Sequence, residues 1–305
     1  MPMADQALTS PASRIEPMVR EQPSRPRSVP GRRPTDYLGL APIAVVIVAA
    51  MFGPLFTLDP AAQDLTNRLQ PPVFLDGTWE HPLGTDGLGR DIVARLFEAA
   101  RLSLIVGVVA ASISAIVGVA AGLMAGSVGG LPDRVTTAIV ELVLAIPTIV
   151  IGIVLTATLG QNMTNLMVIL VISGWIGYAR VVRLVVRQLM HADFVTAAQA
   201  NGAGAMRIAR YHLFPNVMPA VIVLLFQQVA AVMLWEASLT YLGIGLPIER
   251  VSLGGMIKDG QQHVFDGWWI GVFPGAMIAL AVIGFTMLAD WLQLEFDPVR
   301  GRRIG

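Results

Sequence analysis

The feature that most constrains the fold is a series of long uncharged runs, each about as long as a helix that crosses a membrane. The first run is bracketed by Asp36 and Asp59, which enclose 22 uncharged residues. A transmembrane helix needs about 20 consecutive apolar residues, because the hydrocarbon core is about 30 Å thick. Only 14% of the chain is charged, whereas soluble domains carry about 25% charged residues. We therefore predict an all-α integral membrane protein.

Further runs follow along the chain. One lies between Arg101 and Asp133, and the next extends from Val135 to Arg180, interrupted only by Glu141. The second of these is too long for one helix, and the stretch GQNMTN at 160–165 divides it into two. A fifth run spans 216–247, interrupted by Glu236, and a sixth lies between Asp266 and Asp290. We therefore predict six transmembrane helices.

The runs also predict how the chain is organised. Residues 1–36 contain seven Pro and six Arg without apolar periodicity, which is typical of a disordered tail. Residues 37–58 form the first transmembrane helix, because a signal peptide has a shorter apolar region of about 7–15 residues. An extracytoplasmic loop at 59–100 precedes a five-helix core at 101–292. This core carries a cytoplasmic loop at 191–216, and a cytoplasmic tail at 293–305 follows it.

The orientation follows from the basic residues, which are enriched in cytoplasmic loops. If the N-terminus is cytoplasmic, the inner segments hold fifteen Arg and the outer segments hold six Arg and Lys residues. This asymmetry predicts that both termini are cytoplasmic. It also places residues 191–216 on the cytoplasmic side.

Several kinds of chemistry are excluded by composition. The chain has no cysteine and four histidines, and none of the histidines has the spacing of a metalloprotease motif. The only lysine, Lys258, follows Ile257, so the chain lacks the Gly-Lys pair of a phosphate-binding loop. No serine has a glycine two residues before it, as a nucleophile elbow requires. The net charge of zero gives no indication of a nucleic-acid partner. We expect no catalytic residue, metal or cofactor in this chain.

The cytoplasmic loop has the pattern of two short helices. Asp193 is a candidate N-cap for a helix over 194–200. Asn201 and Gly202 form a candidate C-cap, because glycine adopts the left-handed conformation without penalty. A second helix is predicted over 203–214 and is expected to end at Pro215, since the residue before proline avoids helical angles.

The stretch TAAQANGAGAMRIARYHLFPN in this loop resembles the EAA loop of importer-type ABC transporter permeases. The residues that match the family pattern are Ala197, Ala198, Gly202 and Pro215, and Thr196 stands where the family has Glu. The resemblance implies that the loop is a coupling helix that docks in a cleft of an ATPase subunit. The departure at Thr196 removes a charge from that contact.

The resemblance extends over nearly the whole chain beyond the tail. The segments HPLGTDGLGRDIVARLFEAARLSL, ELVLAIPTIVI, EASLTYLGIGLP and LADWLQLEFDP resemble the dipeptide/oligopeptide/nickel branch of these permeases, and their order resembles its C-type subunit. This implies the type I ABC importer permease (MetI-like) fold in a bacterial cell membrane. It also implies a second homologous permease, two ATPase subunits that bind ATP and Mg, and an extracytoplasmic substrate-binding protein as partners.

Five further residues are candidates for function. Arg207, Arg210 and His212 lie on the second loop helix, where they either contact the ATPase or only orient the chain in the membrane. Glu141 and Glu236 lie within apolar runs, where an ionisable side chain is costly and needs compensation. They either line a translocation path or have structural roles, Glu141 in helix packing and Glu236 as a helix-end carboxylate bonded to nearby backbone.

Glycine and proline predict how two of the spans are shaped. Gly118, Gly122 and Gly126 recur every four residues and form a face for close helix contact. The sequence leaves open whether that contact is internal or with a partner subunit. Pro147 is predicted to kink the third span, because it removes a backbone hydrogen bond.

The function that these patterns predict is that of a permease subunit in an ATP-driven importer of dipeptides or oligopeptides. A permease for nickel or another small solute is an alternative within the same family. A self-contained secondary transporter would need intramembrane ion-binding carboxylates and an inverted repeat, and only Glu141 and Glu236 are candidate carboxylates. An intramembrane hydrolase is disfavoured because a nucleophile–base pair is missing. We expect the chain not to be an enzyme.

Overall fold

The structure, a computed structural model, describes residues 40–56 and 58–296 and is helical within them. Its α-helices are α1 (Ala41–Phe56), α2 (Ile92–Val128), α3 (Gly130–Ala145), α4 (Thr148–Leu159), α5 (Met163–Met190), α6 (Asp193–Ala200), α7 (Ala205–Ile208), α8 (Phe214–Tyr241), α9 (Leu253–Gln261) and α10 (Trp269–Glu295). A π-helical segment, Ala209–Leu213, joins α7 to α8, and 3₁₀ turns occur at Leu65–Asn67 and Val73–Leu75. The predicted all-α class is confirmed. The predicted tail at 1–36 lies outside the described residues.

The number of spans differs from the predicted six. Within the described ranges, four helices are long and apolar enough to cross a membrane: α2, α5, Ala205–Tyr241 and α10. α3 and α4 together make a fifth candidate span, bent by 80° at the break between them. α1 is apolar but has 16 residues, which is about 24 Å at the helical rise of 1.5 Å per residue. The chain is a multi-pass membrane protein, and its described residues contain four candidate spans, a fifth if the bent pair is one span, and one shorter apolar helix.

The break between α3 and α4 confirms the predicted effect of Pro147. α3 ends at Ala145, and Ile146 has the extended angles φ −104° and ψ 120°. Proline disfavours helical angles at the residue before it, and α4 starts immediately after Pro147 at Thr148. The third predicted span is therefore two helices at a sharp angle.

α2 begins at Ile92, nine residues before Arg101, the charge that precedes the second uncharged run. The Oδ1 of Asp91 accepts a hydrogen bond from the backbone N–H of Ala94 (2.7 Å) and so caps the helix. Arg95, one turn into α2, is buried, and its Nε lies 3.5 Å from Oδ2 of Asp86. Because an acidic loop residue neutralises this arginine, the helix can start with charged residues in its first turns.

The bundle is built around α2, which packs along most of α5 and also against α1 and α8. Gly118, Gly122 and Gly126 all face α5. A methyl group on Gly122 would stand 2.8 Å from the carbonyl oxygen of Ala179, and one on Gly126 would stand 2.7 Å from Cγ1 of Val186. The glycines therefore allow the two backbones to approach, and the contact that the sequence left open is internal.

Three apolar clusters hold the bundle together. The largest joins α1, α2, α8, α9 and α10, and another joins α2, α5 and α8 around Ile169 and Leu239. The third lies where α2, α5 and α8 meet the 191–216 loop, around Val186 and Leu213. This third cluster fixes the loop to the ends of the spans.

Candidate functional site

The turn between α6 and α7 has the geometry predicted for it. Gly202 has φ +79°, in the left-handed region that favours glycine. The N–H of Ala203 donates to the carbonyl of Ala198 (3.0 Å), and the N–H of Gly202 donates to that of Gln199 (2.9 Å). This pair of hydrogen bonds is a Schellman motif. The predicted helix end at Asn201 and Gly202 is confirmed, with Asn201 at the C-cap position and Gly202 as the left-handed residue that follows it.

The predicted N-cap at Asp193 is wrong. α6 begins at Asp193 itself, and Ala192 occupies the N-cap position without a side-chain hydrogen bond. Asp193 therefore lies in the first turn, where a negative charge is favourable because the N-terminus of a helix carries partial positive charge. The carboxylate acts on the helix through its charge and not through a capping hydrogen bond.

The 191–216 loop is attached to the spans by its apolar side. Val195 on α6, Ile208 on α7 and Leu213 in the π-helical segment are all buried, and they pack in one cluster with Val186 and Val217. Between the two arms of the loop, the rings of Phe194 and His212 lie 6.2 Å apart. The loop is therefore a packed part of the bundle.

The predicted contact residues lie mostly on the surface of this loop. The exposed ones are Thr196, Ala197, Gly202, Arg207, Arg210 and Pro215, whereas Ala198 and His212 are half-buried. Large apolar side chains are exposed beside them: Met206 is 80% exposed and Tyr211 is 65% exposed. The loop thus presents small residues, two arginines and apolar side chains on a fixed backbone. Their role in docking stays a prediction.

The predicted end of the second loop helix at Pro215 is wrong. Phe214, the residue before the proline, has the helical angles φ −54° and ψ −49°. The helical path therefore continues through the π-helical segment into α8, and helical residues extend from Ala205 to Tyr241. Pro215 lies in the first turn of α8, a position that proline tolerates. The wider π turn just before it accommodates the change in hydrogen bonding.

Glu236 on α8 is completely buried. The hydroxyl of Ser103 on α2 donates to its Oε2 (2.6 Å), and the hydroxyl of Thr240 donates to its Oε1 (3.1 Å). The carboxyl group therefore links α8 to α2 by hydrogen bonds to side chains, not to the backbone as the structural alternative supposed. A path role for Glu236 stays a prediction.

Glu141 on α3 is exposed and lines a cavity of about 240 Å³ between α3 and α5. The opposite wall carries Arg180 and Arg183 of α5. A second cavity of about 500 Å³ extends along α5 as far as Arg187 and shares both arginines. We name these two adjoining cavities the α3–α5 groove, although α3 lines only the smaller one. A path role for Glu141 stays a prediction.

The ion pairs of this groove were not identified from the sequence. Asp133 in the first turn of α3 lies 2.5 Å from Nε of Arg183 and 2.5 Å from Nη2 of Arg187. Three arginines of α5 lie on one face of the helix, because they are spaced three and four residues apart. They are Arg180, Arg183 and Arg187. This spacing, at the end of an apolar run, is the sequence pattern that could have indicated a charged face on α5. The pairing with Asp133 needed the three-dimensional structure.

A second network of charges lies in the loop before α2. Oδ2 of Asp86 is 2.7 Å from Nε of Arg90, and Oδ2 of Asp259 near the end of α9 is 3.5 Å from Nη2 of both Arg90 and Arg95. The indole N–H of Trp269 donates to the carbonyl of Thr85 (3.0 Å). The GTDGLGRD motif therefore joins the loop to α9 and α10.

The comparisons with known proteins agree with this architecture. The family model described as "Binding-protein-dependent transport system inner membrane component" matches residues 118–300. The chain is 34% identical to the oligopeptide transport system permease protein OppC of Bacillus subtilis, covering 86% of this chain and 84% of the relative. It is 37% identical to the dipeptide transport system permease protein DppC of Escherichia coli, covering 86% of this chain and 88% of the relative.

The fold is also similar to a solved structure. A chain of the MetNI methionine ABC transporter, in an inward-facing conformation, aligns with a TM-score of 0.51 at 19% identity. The match covers 67% of this chain and 95% of the other chain. At this identity the likeness concerns the fold alone, and it supports the MetI-like arrangement of the helices.

Proposed function

The chain belongs to the family of binding-protein-dependent transport system inner membrane components, and on that premise we propose that it is the permease subunit of an ATP-driven importer of dipeptides and oligopeptides. The peptide cargo is supported by the two peptide permeases that are 34% and 37% identical to it. In this proposal, a second homologous permease completes the path and a binding protein delivers the peptide. Two ATPase subunits hold ATP and Mg, and this chain catalyses no reaction.

The observation that carries the proposal is the continuous helix from Ala205 to Tyr241. It begins in the exposed loop and ends on the opposite side of the bundle. Because Val195, Ile208 and Leu213 are buried against the same bundle, the loop cannot move without moving the spans attached to it. A partner that holds the loop surface therefore has a mechanical connection to α8. This is the connection that alternating access driven by an ATPase requires.

The proposal includes the orientation of the chain in a bacterial cell membrane. The excess of arginine in the tails and in the 191–216 loop supports cytoplasmic termini. The loop that carries Thr196, Ala197 and Ala198 then faces the ATPase subunits. The GTDGLGRD loop faces outward, where the binding protein delivers the peptide.

The experiment is a purification of the tagged chain from the membranes of its own cells in mild detergent, followed by measurement of co-purifying ATPase activity. We expect the unmodified chain to carry ATPase activity and Ala197→Trp to lose at least about nine-tenths of it, because the exposed surface of α6 gains a bulky ring. Ala62→Trp is the matched control, since Ala62 is also exposed but lies in the loop before α2. We expect it to retain the activity.

The outcomes separate the alternatives. An Ala197→Trp chain that elutes as a monodisperse species and keeps its ATPase would show that the docking surface lies elsewhere. An intact chain that carries no ATPase would contradict the importer and favour a self-contained secondary transporter. Because the ATPase subunits are cytoplasmic, loss of activity confined to Ala197→Trp would also place the loop on the cytoplasmic side.

A further inference from the structure

The α3–α5 groove contains charged groups that its own ion pairs do not satisfy. Asp133 contacts both Arg183 and Arg187, so these two guanidinium groups have a carboxylate partner. Arg180 and Glu141 also line the groove, yet neither side chain has an ion pair or hydrogen bond within residues 40–56 and 58–296. They do not pair with each other, although they face the same cavity of about 240 Å³.

The positions of Arg180 and Glu141 along their helices indicate what the groove faces. Arg180 precedes Met190, the last residue of α5, by ten residues, which is about 15 Å along a helix. Glu141 follows Gly130, the first residue of α3, by eleven residues. A charged side chain that faces hydrocarbon near the middle of a span costs about 2.5–3.5 kcal/mol. Arg180 lies at the end of its apolar run, so this cost applies to Glu141, which lies within the run. The part of the groove around Glu141 is therefore expected to face water or cargo and not lipid.

The chemistry of the groove indicates one class of ligand. A free peptide is a zwitterion, with a carboxylate at one end and an ammonium group at the other. A guanidinium group binds a carboxylate through two parallel N–H···O hydrogen bonds, and a carboxylate binds an ammonium group. The remaining wall includes Val140, Leu144 and Leu184, which tolerate side chains of different shapes.

We propose that the α3–α5 groove is a peptide subsite on the translocation path, where Arg180 binds the terminal carboxylate and Glu141 binds the terminal ammonium group. This inference rests on the proposed function of peptide import. The groove is open along α5, and its narrower part is smaller than the roughly 300–1,000 Å³ of pockets that enclose a whole ligand. A subsite that binds the ends of a peptide without enclosing it suits a cargo that must leave again.

The test uses the complete transporter, reconstituted in vesicles with its binding protein and ATP. The cargoes are one dipeptide with free termini, its C-terminal amide and its N-acetyl form. For each cargo, the initial uptake rate of a variant is divided by that of the unmodified transporter, so the preference of the binding protein cancels. We expect Arg180→Gln to slow uptake of the free dipeptide about tenfold, as befits loss of a hydrogen bond between charged groups, and to leave the amide unchanged.

The second arm tests the other end of the peptide. Glu141→Gln is expected to slow uptake of the free dipeptide by a similar factor and to leave the N-acetyl form unchanged. Arg180→Lys, which keeps the charge but not the paired N–H groups, should restore part of the rate for the free dipeptide. Arg187→Gln is the matched control, because Arg187 lies on the same helix but has Asp133 as its partner. We expect Arg187→Gln to affect all three cargoes equally.

Two failures are distinguishable in this assay. If the assembled, unmodified transporter hydrolyses ATP but takes up no peptide, the proposed function is wrong and the subsite with it. If it takes up peptide but Arg180→Gln slows the free dipeptide and its amide by the same factor, or slows neither, only the subsite is overturned. Equal slowing of all cargoes is the result expected if Arg180 serves the fold or binds a lipid phosphate.

Discussion

The two sides of α5 show two different ways of holding helices together. On one side, α2 lies so close that Gly118, Gly122 and Gly126 have no space for a methyl group. On the other side, α3 is separated from α5 by the α3–α5 groove, and ion pairs of Asp133 cross near one end. One helix therefore combines a contact made of backbone and small side chains with a contact made of charges around a cavity.

The difference indicates which part of the bundle can change shape. Helices whose side chains and backbones interlock cannot slide past each other by small amounts, so they move together. A cavity bridged by long arginine side chains can widen or narrow while the charges stay in contact. We therefore expect α2 and α5 to move as one body and α3 to be the helix that moves relative to them.

The largest effect is expected for Gly122→Leu. The new side chain would enter the α2–α5 contact, where even its Cβ would lie 2.8 Å from the carbonyl oxygen of Ala179 and from Cβ of Val182. Overpacking of this kind typically costs 1–3 kcal/mol, and because backbone must move here we expect about 3 kcal/mol. The measurement is the thermal unfolding midpoint of the purified complex in detergent.

Gly177→Leu is the control for this substitution, since a Cβ at Gly177 on the open side of α5 has no neighbour within 4 Å. We expect it to leave the midpoint nearly unchanged, because helix propensity favours leucine over glycine. Equal midpoints for the two variants would mean that the glycine face is not the tight side of α5.

The packed side of α5 was easier to predict from the sequence than the open side. The recurrence of Gly118, Gly122 and Gly126 is a local pattern, and it predicted a close contact without identifying the partner. Gly202 was also predictable, because a left-handed residue has a strong preference for glycine. Pro215 misled the prediction, because a π-helical turn allows helical angles before a proline, and no single residue signals such a turn.

The second effect in size is expected for Asp133→Asn. This change removes the carboxylate that holds Arg183 and Arg187, whose side chains are 26% and 49% exposed. Partly exposed ion pairs contribute little because solvent screens them, so we expect a loss of about 0.5–1 kcal/mol. Hydrogen exchange of the α3 amides should become faster, while exchange in α2 stays as it was.

A variant in which the charges of the ion pairs are reversed is the control for Asp133→Asn. The triple variant Asp133→Arg with Arg183→Asp and Arg187→Asp reverses every charge of this network, so that opposite charges again occupy the same positions. We expect it to recover part of the protection that Asp133→Asn loses, and the recovery should shrink at high salt. Faster exchange in α2 as well would contradict the separation of the two sides.

The groove could not be derived from the sequence in the same way, because its parts are distant along the chain. Asp133 and Arg187 are 54 residues apart, and nothing local relates a carboxylate on one helix to a guanidinium group on another. The sequence did identify Glu141 as a costly charge within an apolar run. What it lacked was the position of α3 beside α5, and the 80° bend between α3 and α4.

The smallest effect is expected for Tyr178→Phe on the packed side. Tyr178 is buried beside Gly118, and its hydroxyl group lies 3.5 Å from the carbonyl oxygen of Leu224 on α8. At that distance a hydrogen bond is weak, and the same carbonyl lies within a helix that supplies its own donors. If close packing and not hydrogen bonding holds this side together, Tyr178→Phe should lower the free energy of unfolding by less than about 0.5 kcal/mol. A shift of the thermal midpoint as large as that of Gly122→Leu would show that a polar contact, not the glycine face, joins α5 to its neighbours.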